Sequence, residues 1–297
     1  MLNTLILSLL PILVALVMGW GIGRTTSQNS KALLVSYIPI LVWLLLISIG
    51  FQFGHILFDP QLGRKILVES FLYSSLINLI TFIFLFKRVK NTNPHQKSIS
   101  EIVKPLLECL IAIVMLCIGM LLCLVLPQHW HGELISSLLL YVLIILVGVD
   151  LSTIQIQALT LNHVKVPIFA ILAVLISAYL STFFLDKSYA ELVVLGSGFG
   201  WFSLSGPLIG KLLGAEQGTF ALLTDLIREF YAIGFLYLLG KHYPYSVLGV
   251  CGATAMDSTL PFIKNNCSSL DVQIAIFSGF ILSILAPFFI IFFSMFI

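Results

Sequence analysis

Charge is what this sequence has least of. Of its 297 residues only 9% are Asp, Glu, Lys or Arg, while 59% are apolar; soluble domains carry about 25% charged residues. A chain of this length folded in water would need a far larger polar shell around its core, which excludes a soluble globular protein and leaves the bilayer as solvent. Basic clusters with interleaved aromatics are also missing. The fifteen Lys and Arg residues are scattered and the net charge is only +2, so nucleic acid is excluded as a partner. Cysteine is sparse and odd in number: Cys109, Cys117, Cys123, Cys251 and Cys267 have no metal-ligand spacing and read as small packing residues. No Walker loop, His-Glu-x-x-His, Gly-x-Ser-x-Gly or kinase signature occurs, so an enzyme or ATPase is not expected and no cofactor is implied. A basic n-region and cleavage site are lacking too, and the first apolar run is expected to stay as a membrane helix.

What is present is a series of apolar runs. A helix of about 20 apolar residues spans the hydrocarbon, and that window picks out ten segments: 2–22, 32–53, 66–86, 105–126, 134–149, 166–185, 191–213, 219–239, 245–263 and 271–296. The expected fold is an all-α, polytopic membrane transporter of 8–10 segments, a single domain over 1–297. Its N-terminal half (1–165) is poor in motifs and its C-terminal half (166–297) carries them. Two segments are expected to be broken or re-entrant, since 196–207 and 249–261 hold too much Gly and Pro for continuous helix. Non-helical backbone is tolerated at membrane depth only where protein buries it or where it lines a wet cavity. If both re-enter, eight spans remain. Either way basic residues divide ten against four between the two faces, with Arg228 inside a span. The positive-inside rule then places both termini outside.

Charge reappears where lipid should be. Asp225, Arg228 and Glu229 lie near the middle of segment eight and Asp257 lies in segment nine. Each costs about 2.5–3.5 kcal/mol at a helix centre, roughly 10 kcal/mol together. Their i,i+3 and i,i+4 spacing puts Asp225, Arg228 and Glu229 broadly on one face. Arg228 can neutralise Asp225 in a fixed pair, but Glu229 and Asp257 are then left over, at the midplane depth where alternating-access sites sit. Gly198, Gly200, Ser203 and Ser205 offer exposed N–H groups, carbonyls and hydroxyls at a helix interruption, as do Thr254 and Ser258 in segment nine. Close helix packing is the alternative use of such small residues. Asn78 reads as a helix–helix hydrogen bond, Asp150 as an interfacial group, and His129 and His131 as interfacial residues around Trp130.

Three blocks in the second half, Gly198-Phe-Gly-Trp-Phe-Ser-Leu-Ser-Gly206, Asp225-Leu-Ile-Arg-Glu229 and Leu248-Gly-Val-Cys-Gly-Ala-Thr-Ala-Met-Asp-Ser-Thr-Leu-Pro261, are similar in order and spacing to the LysO family of bacterial lysine exporters. The resemblance implies export of L-lysine and toxic analogues such as thialysine across the inner membrane in exchange for protons. It also implies that Glu229 and Asp257 are the functional acids. Two other readings of the residues stay open: a proton- or sodium-coupled carrier of another solute, and a non-transporting channel or scaffold with a static charge network. Homo-oligomerisation is not decided by the sequence.

Overall fold

The computed structural model describes residues 2–89, 99–125, 132–152 and 161–297, and the described residues form helices and turns without strands. Thirteen helices follow in order: α1 (Leu2–Thr25), α2 (Gln28–Ser36), α3 (Ile38–Leu57), α4 (Leu62–Phe84), α5 (Ile99–Val125), α6 (Gly132–Leu151), α7 (Leu161–Ser181), α8 (Tyr189–Gly196), α9 (Phe202–Leu213), α10 (Ala215–Leu239), α11 (Pro244–Cys251), α12 (Leu260–Asn266) and α13 (Ser269–Ser294). Among the described residues, four stretches are long and apolar enough to cross a membrane by length and composition: Gln28–Leu57, Leu62–Phe84, His163–Ser181 and Ser269–Ser294. α1, α5, α6 and α10 are each of 20 residues or more as well, so the described residues hold eight long helical stretches. The protein is an all-α polytopic membrane protein.

Small residues set how closely the traverses approach. A Cβ on Gly50 or Gly119 would run into the backbone of the facing helix, as would one on Gly19 or Gly148, so α3 lies against α5 and α1 against α6 with little between them. Such contacts suit lipid, where packing rather than water drives helix association. Connections are capped locally. Asp59 Oδ1 accepts the N–H groups of Gln61 and Leu62 at 2.9 Å, fixing the start of α4 and holding this exposed carboxyl below its usual range.

The seventh and ninth apolar segments do not span. Each enters, breaks and returns. In the first, Lys187 Nζ lies 5.2 Å from the Phe220 ring, so the start of α8 is level with the start of α10. Leu192 O accepts from Tyr73 Oη at 2.6 Å, and Gly200 N donates to Asp225 at 2.8 Å, halfway along α10. From there α9 climbs back antiparallel to α10, with Gly206 and Gly210 packed against Leu222 and Gly218. The second hairpin enters from the opposite face. α11 rises beside α10 until Val250 and Gly249 meet Arg228, and α12 descends past Tyr237, whose ring is 5.7 Å from that of Phe262. Its end reaches Gly240, where Cys267 Sγ contacts the Gly240 carbonyl at 3.6 Å.

The expectation of two broken or re-entrant segments is thus resolved as two opposed hairpins, α8–α9 and α11–α12. Gly and Pro alone do not decide between a kinked span and a hairpin. The direction of return is set by tertiary partners on α4, α10 and α13.

Candidate functional site

The two hairpin tips meet. Phe199 and Gly200 have left-handed backbone, φ 51° and 96°, and so does Gly252, φ 61°. These turns halt the helices and let the Ala253 N–H donate to Phe199 O at 2.9 Å, joining one tip to the other. Glycine at 252 is required twice, by its φ and because a Cβ there would overlap Phe199 O. Gly198 is held to glycine by space, since a Cβ would overlap Asp225 Oδ2 and crowd Ser205.

One and a third turns of α10 face this junction and complement it charge by charge. Asp225, 1% exposed, accepts the Gly200 N–H through Oδ1. Arg228, also 1% exposed, donates from Nε to Val250 O and from Nη2 to Gly249 O, both at 3.1 Å, closing the open carbonyl end of α11. Negative charge at freed N–H groups and positive charge at freed C=O groups is the arrangement that helix ends favour. Among the described residues Asp225 and Arg228 form no ion pair within 4 Å. Each bonds a different hairpin, while their opposite charges still act on one another as the spacing allowed.

Ser258 ties Glu229 to the tip that carries Asp257. The Ser258 hydroxyl donates to Glu229 Oε1 at 2.6 Å, and the Ser258 N–H is bonded to Asp257 Oδ1. Glu229 is 6% exposed, while Asp257 and Ser258 are exposed at the tip of the second hairpin. Thr254 and Thr259 shape that tip, with Thr254 Oγ1 on Cys251 O at 2.8 Å and Thr259 Oγ1 on Thr254 O at 2.9 Å. Ser203 and Ser205 lie buried in the first turns of α9, Ser205 beside the Asp225 carboxylate. The charged and hydroxyl groups singled out in sequence therefore converge on one region, in two sets. Asp225, Arg228, Gly198, Gly200 and Ser205 build the hairpin junction, while Glu229, Asp257 and Ser258 present acids and a hydroxyl beside it.

The sequence reading missed one neighbour. Asp150, in the last turn of α6, is followed by Leu151, which belongs to the same buried cluster as Met256, the residue before Asp257. The available signal was its position: an anion at a helix C-terminus is opposed by the helix dipole and asks for another reason to be there. Among the described residues Asn78 donates within α4, to Ser74 Oγ at 3.5 Å, and it is Ser74 that bonds across to Thr224 O on α10. His129 and His131 lie outside the described residues. Among the described residues no group of three or more His, Cys, Asp or Glu is placed to hold a metal.

Residues 113–294, which contain both hairpins and α10, match the family described as Lysine exporter LysO. Over 301 aligned positions the chain is 30% identical to the lysine exporter LysO of Escherichia coli strain K12, covering 96% of this chain and 98% of that protein. The chain belongs to the LysO family. A Haemophilus influenzae protein named as a candidate lysine exporter is 36% identical over 164 positions, 53% of this chain and 84% of that protein. No solved structure matches the chain. Membership in the LysO family makes this a membrane transport protein, and the matched region contains the whole hairpin junction.

Proposed function

We propose that the chain exports L-lysine, and analogues such as thialysine, from the cytoplasm in exchange for protons, with Glu229 and Asp257 as the groups that hold either an ammonium or a proton. The observation that supports this reading is the Ser258 hydroxyl donating to Glu229 Oε1, which sets Glu229 against the residue that follows Asp257 at the tip of a re-entrant hairpin. Membership in a family of lysine exporters supplies the substrate.

The physical need for exchange follows from charge. Lysine at neutral pH has two ammonium groups and one carboxylate, so it leaves as a net cation against an inside-negative potential, costing about 2.3 kcal/mol per 100 mV. Exchanging one lysine for one entering proton cancels that charge. An ionised Glu229–Asp257 pair attracts the ammonium groups, and protonation from outside removes the attraction and releases the substrate. With Asp225 committed to Gly200 and Arg228 to α11, those two residues position the tips rather than exchange ligands.

Orientation belongs to the same proposal. Arg24, Lys31, Lys87, Arg88, Lys165, Lys241 and Lys264 lie toward one face, and Arg64, Lys65, Lys187 and Lys211 toward the other. The basic-rich face is then cytoplasmic, both ends of the chain face outward, and the α11–α12 hairpin enters from the cytoplasm of a bacterial inner membrane. The whole chain acts as one transport unit.

The test is counterflow of labelled lysine in proteoliposomes under an imposed pH gradient. Wild type accumulates lysine in the direction set by the gradient, and Glu229→Gln abolishes that response while its melting temperature stays near wild type. Gradient-driven lysine flux at the wild-type rate in Glu229→Gln, or no lysine flux in wild type, refutes the reading.

A further inference from the structure

We propose that a groove between α1, α6 and α9 is a binding site for an anionic glycerophospholipid, with Lys211 taking the phosphate and the apolar walls taking the start of an acyl chain. The proposal does not depend on which solute the protein carries.

Where α1 lies on α6 through Gly19 and Gly148, the backbones approach until no side chain fits between them. Nearer the start of α6 the packing opens. A space of about 210 Å³ is left there, lined by Ile12 of α1, Leu140 and Tyr141 of α6, and Pro207, Leu208 and Lys211 of α9. Ile12, Leu140, Pro207 and Leu208 are buried, Tyr141 is half-buried and Lys211 is exposed, so the space has an apolar floor and an open mouth. Ordered water needs two to four polar partners, which such a floor does not offer. In a bilayer the material at the mouth is lipid.

Charge sits at that mouth. Lys211 is in the last turn of α9, and its Nζ lies 5.8 Å from the centre of the Tyr141 ring. Ion pairs among the described residues join Lys65 to Glu69 and Lys187 to Glu191, and Lys211 has no carboxylate within 4 Å. A ring face attracts an ammonium weakly at an exposed site and leaves its donors free for an acceptor. The helix dipole favours a cation in the last turn, which explains a lysine at this position but not the space beside it. Phosphate with a chain attached answers both. From Pro207 to Leu212 the lining covers about 7.5 Å of α9, running from Lys211 back toward the hairpin tips. A phosphate at the ammonium therefore lays its esterified chain along Leu208 and Ile12. Choline and ethanolamine headgroups bring their own cation next to Lys211, whereas a headgroup without one leaves the phosphate charge to the lysine, which selects an anionic lipid.

α9 is the return arm of the first hairpin, and α1 and α6 belong to neither hairpin. A lipid seated between them fastens the arm to the rest of the bundle, so occupancy is read as stability. The test heats purified protein in detergent with added phosphatidylglycerol, phosphatidylcholine or inorganic phosphate, and counts retained lipid by native mass spectrometry. Wild type is expected to keep a phosphatidylglycerol and to gain about 5 °C in Tm over phosphatidylcholine. Lys211→Met removes the charge, and Ser137→Leu narrows the groove from the α6 side without touching it. Each should cut the gain to below about 1 °C, and Lys211→Arg should keep most of it. An equal gain from phosphatidylcholine or inorganic phosphate, or an undiminished gain in Lys211→Met, overturns the site. A gain lost in Lys211→Met but intact in Ser137→Leu means charge attraction at the membrane surface and overturns the groove as the seat. If Lys211→Met does not accumulate, Ser137→Leu and Lys211→Arg decide by the same criteria.

Discussion

Gly252→Ala tests the junction of the two hairpins most directly. At φ 61° and ψ −129° the backbone sits where L side chains rarely go, a strain of about 1–3 kcal/mol for alanine. The added methyl would also overlap Phe199 O and press on Arg228 Nη2. To make room, the tips must part. The Ala253–Phe199 bond is then lost, leaving a donor and an acceptor without each other in a buried setting, for roughly another 1–3 kcal/mol. The sum is about 4 kcal/mol, or roughly 10 °C in Tm for a protein of this size. Gly234→Ala on α10 is the control, because a Cβ there meets nothing within 4 Å. Thermal unfolding of the purified protein in detergent, followed by tryptophan fluorescence, reads both. A Tm for Gly252→Ala within about 2 °C of the Gly234→Ala value would refute the claim that the tips are fastened at this point.

The charges of α10 should separate by role. Asp225→Asn keeps an acceptor for the Gly200 N–H and should cost about 1 kcal/mol, whereas Arg228→Met strands the carbonyls of Gly249 and Val250 and should cost about 3 kcal/mol or more, both measured by Tm. The hairpin topology has its own assay: single cysteines replacing Lys211 and Lys241 in a background lacking the native cysteines, labelled in intact cells with a membrane-impermeant maleimide. Opposed hairpins put position 211 outside and position 241 inside; the reverse pattern would mean that the segments span.

Much of this was legible in the sequence because lipid leaves few options. Ionisable residues at midplane depth are conspicuous against an apolar background, and Asp225, Arg228, Glu229 and Asp257 do converge in space. The two Gly- and Pro-rich stretches are the places where the helices stop. The direction taken afterwards was not legible. Whether α9 continues across or turns back depends on Gly206 and Gly210 finding Leu222 and Gly218 on α10, a contact that no local pattern encodes. Partner choice was hidden for the same reason: spacing on one helix allowed Arg228 to answer Asp225, but could not show that each also bonds a backbone brought in from elsewhere. Asp150 escaped because the cluster that holds both Leu151 and Met256 assembles only in the fold.

The opposed hairpins also leave one place in the protein where no continuous helix runs from side to side. Arms such as α8 and α11, eight residues each, reach only about 12 Å, less than half the hydrocarbon thickness. Where their tips touch, the seam is therefore closed by the Ala253–Phe199 bond and by the side chains of Asp225 and Arg228 and not by a continuous helix, which makes those two side chains as much a part of the backbone's continuity as the turns themselves.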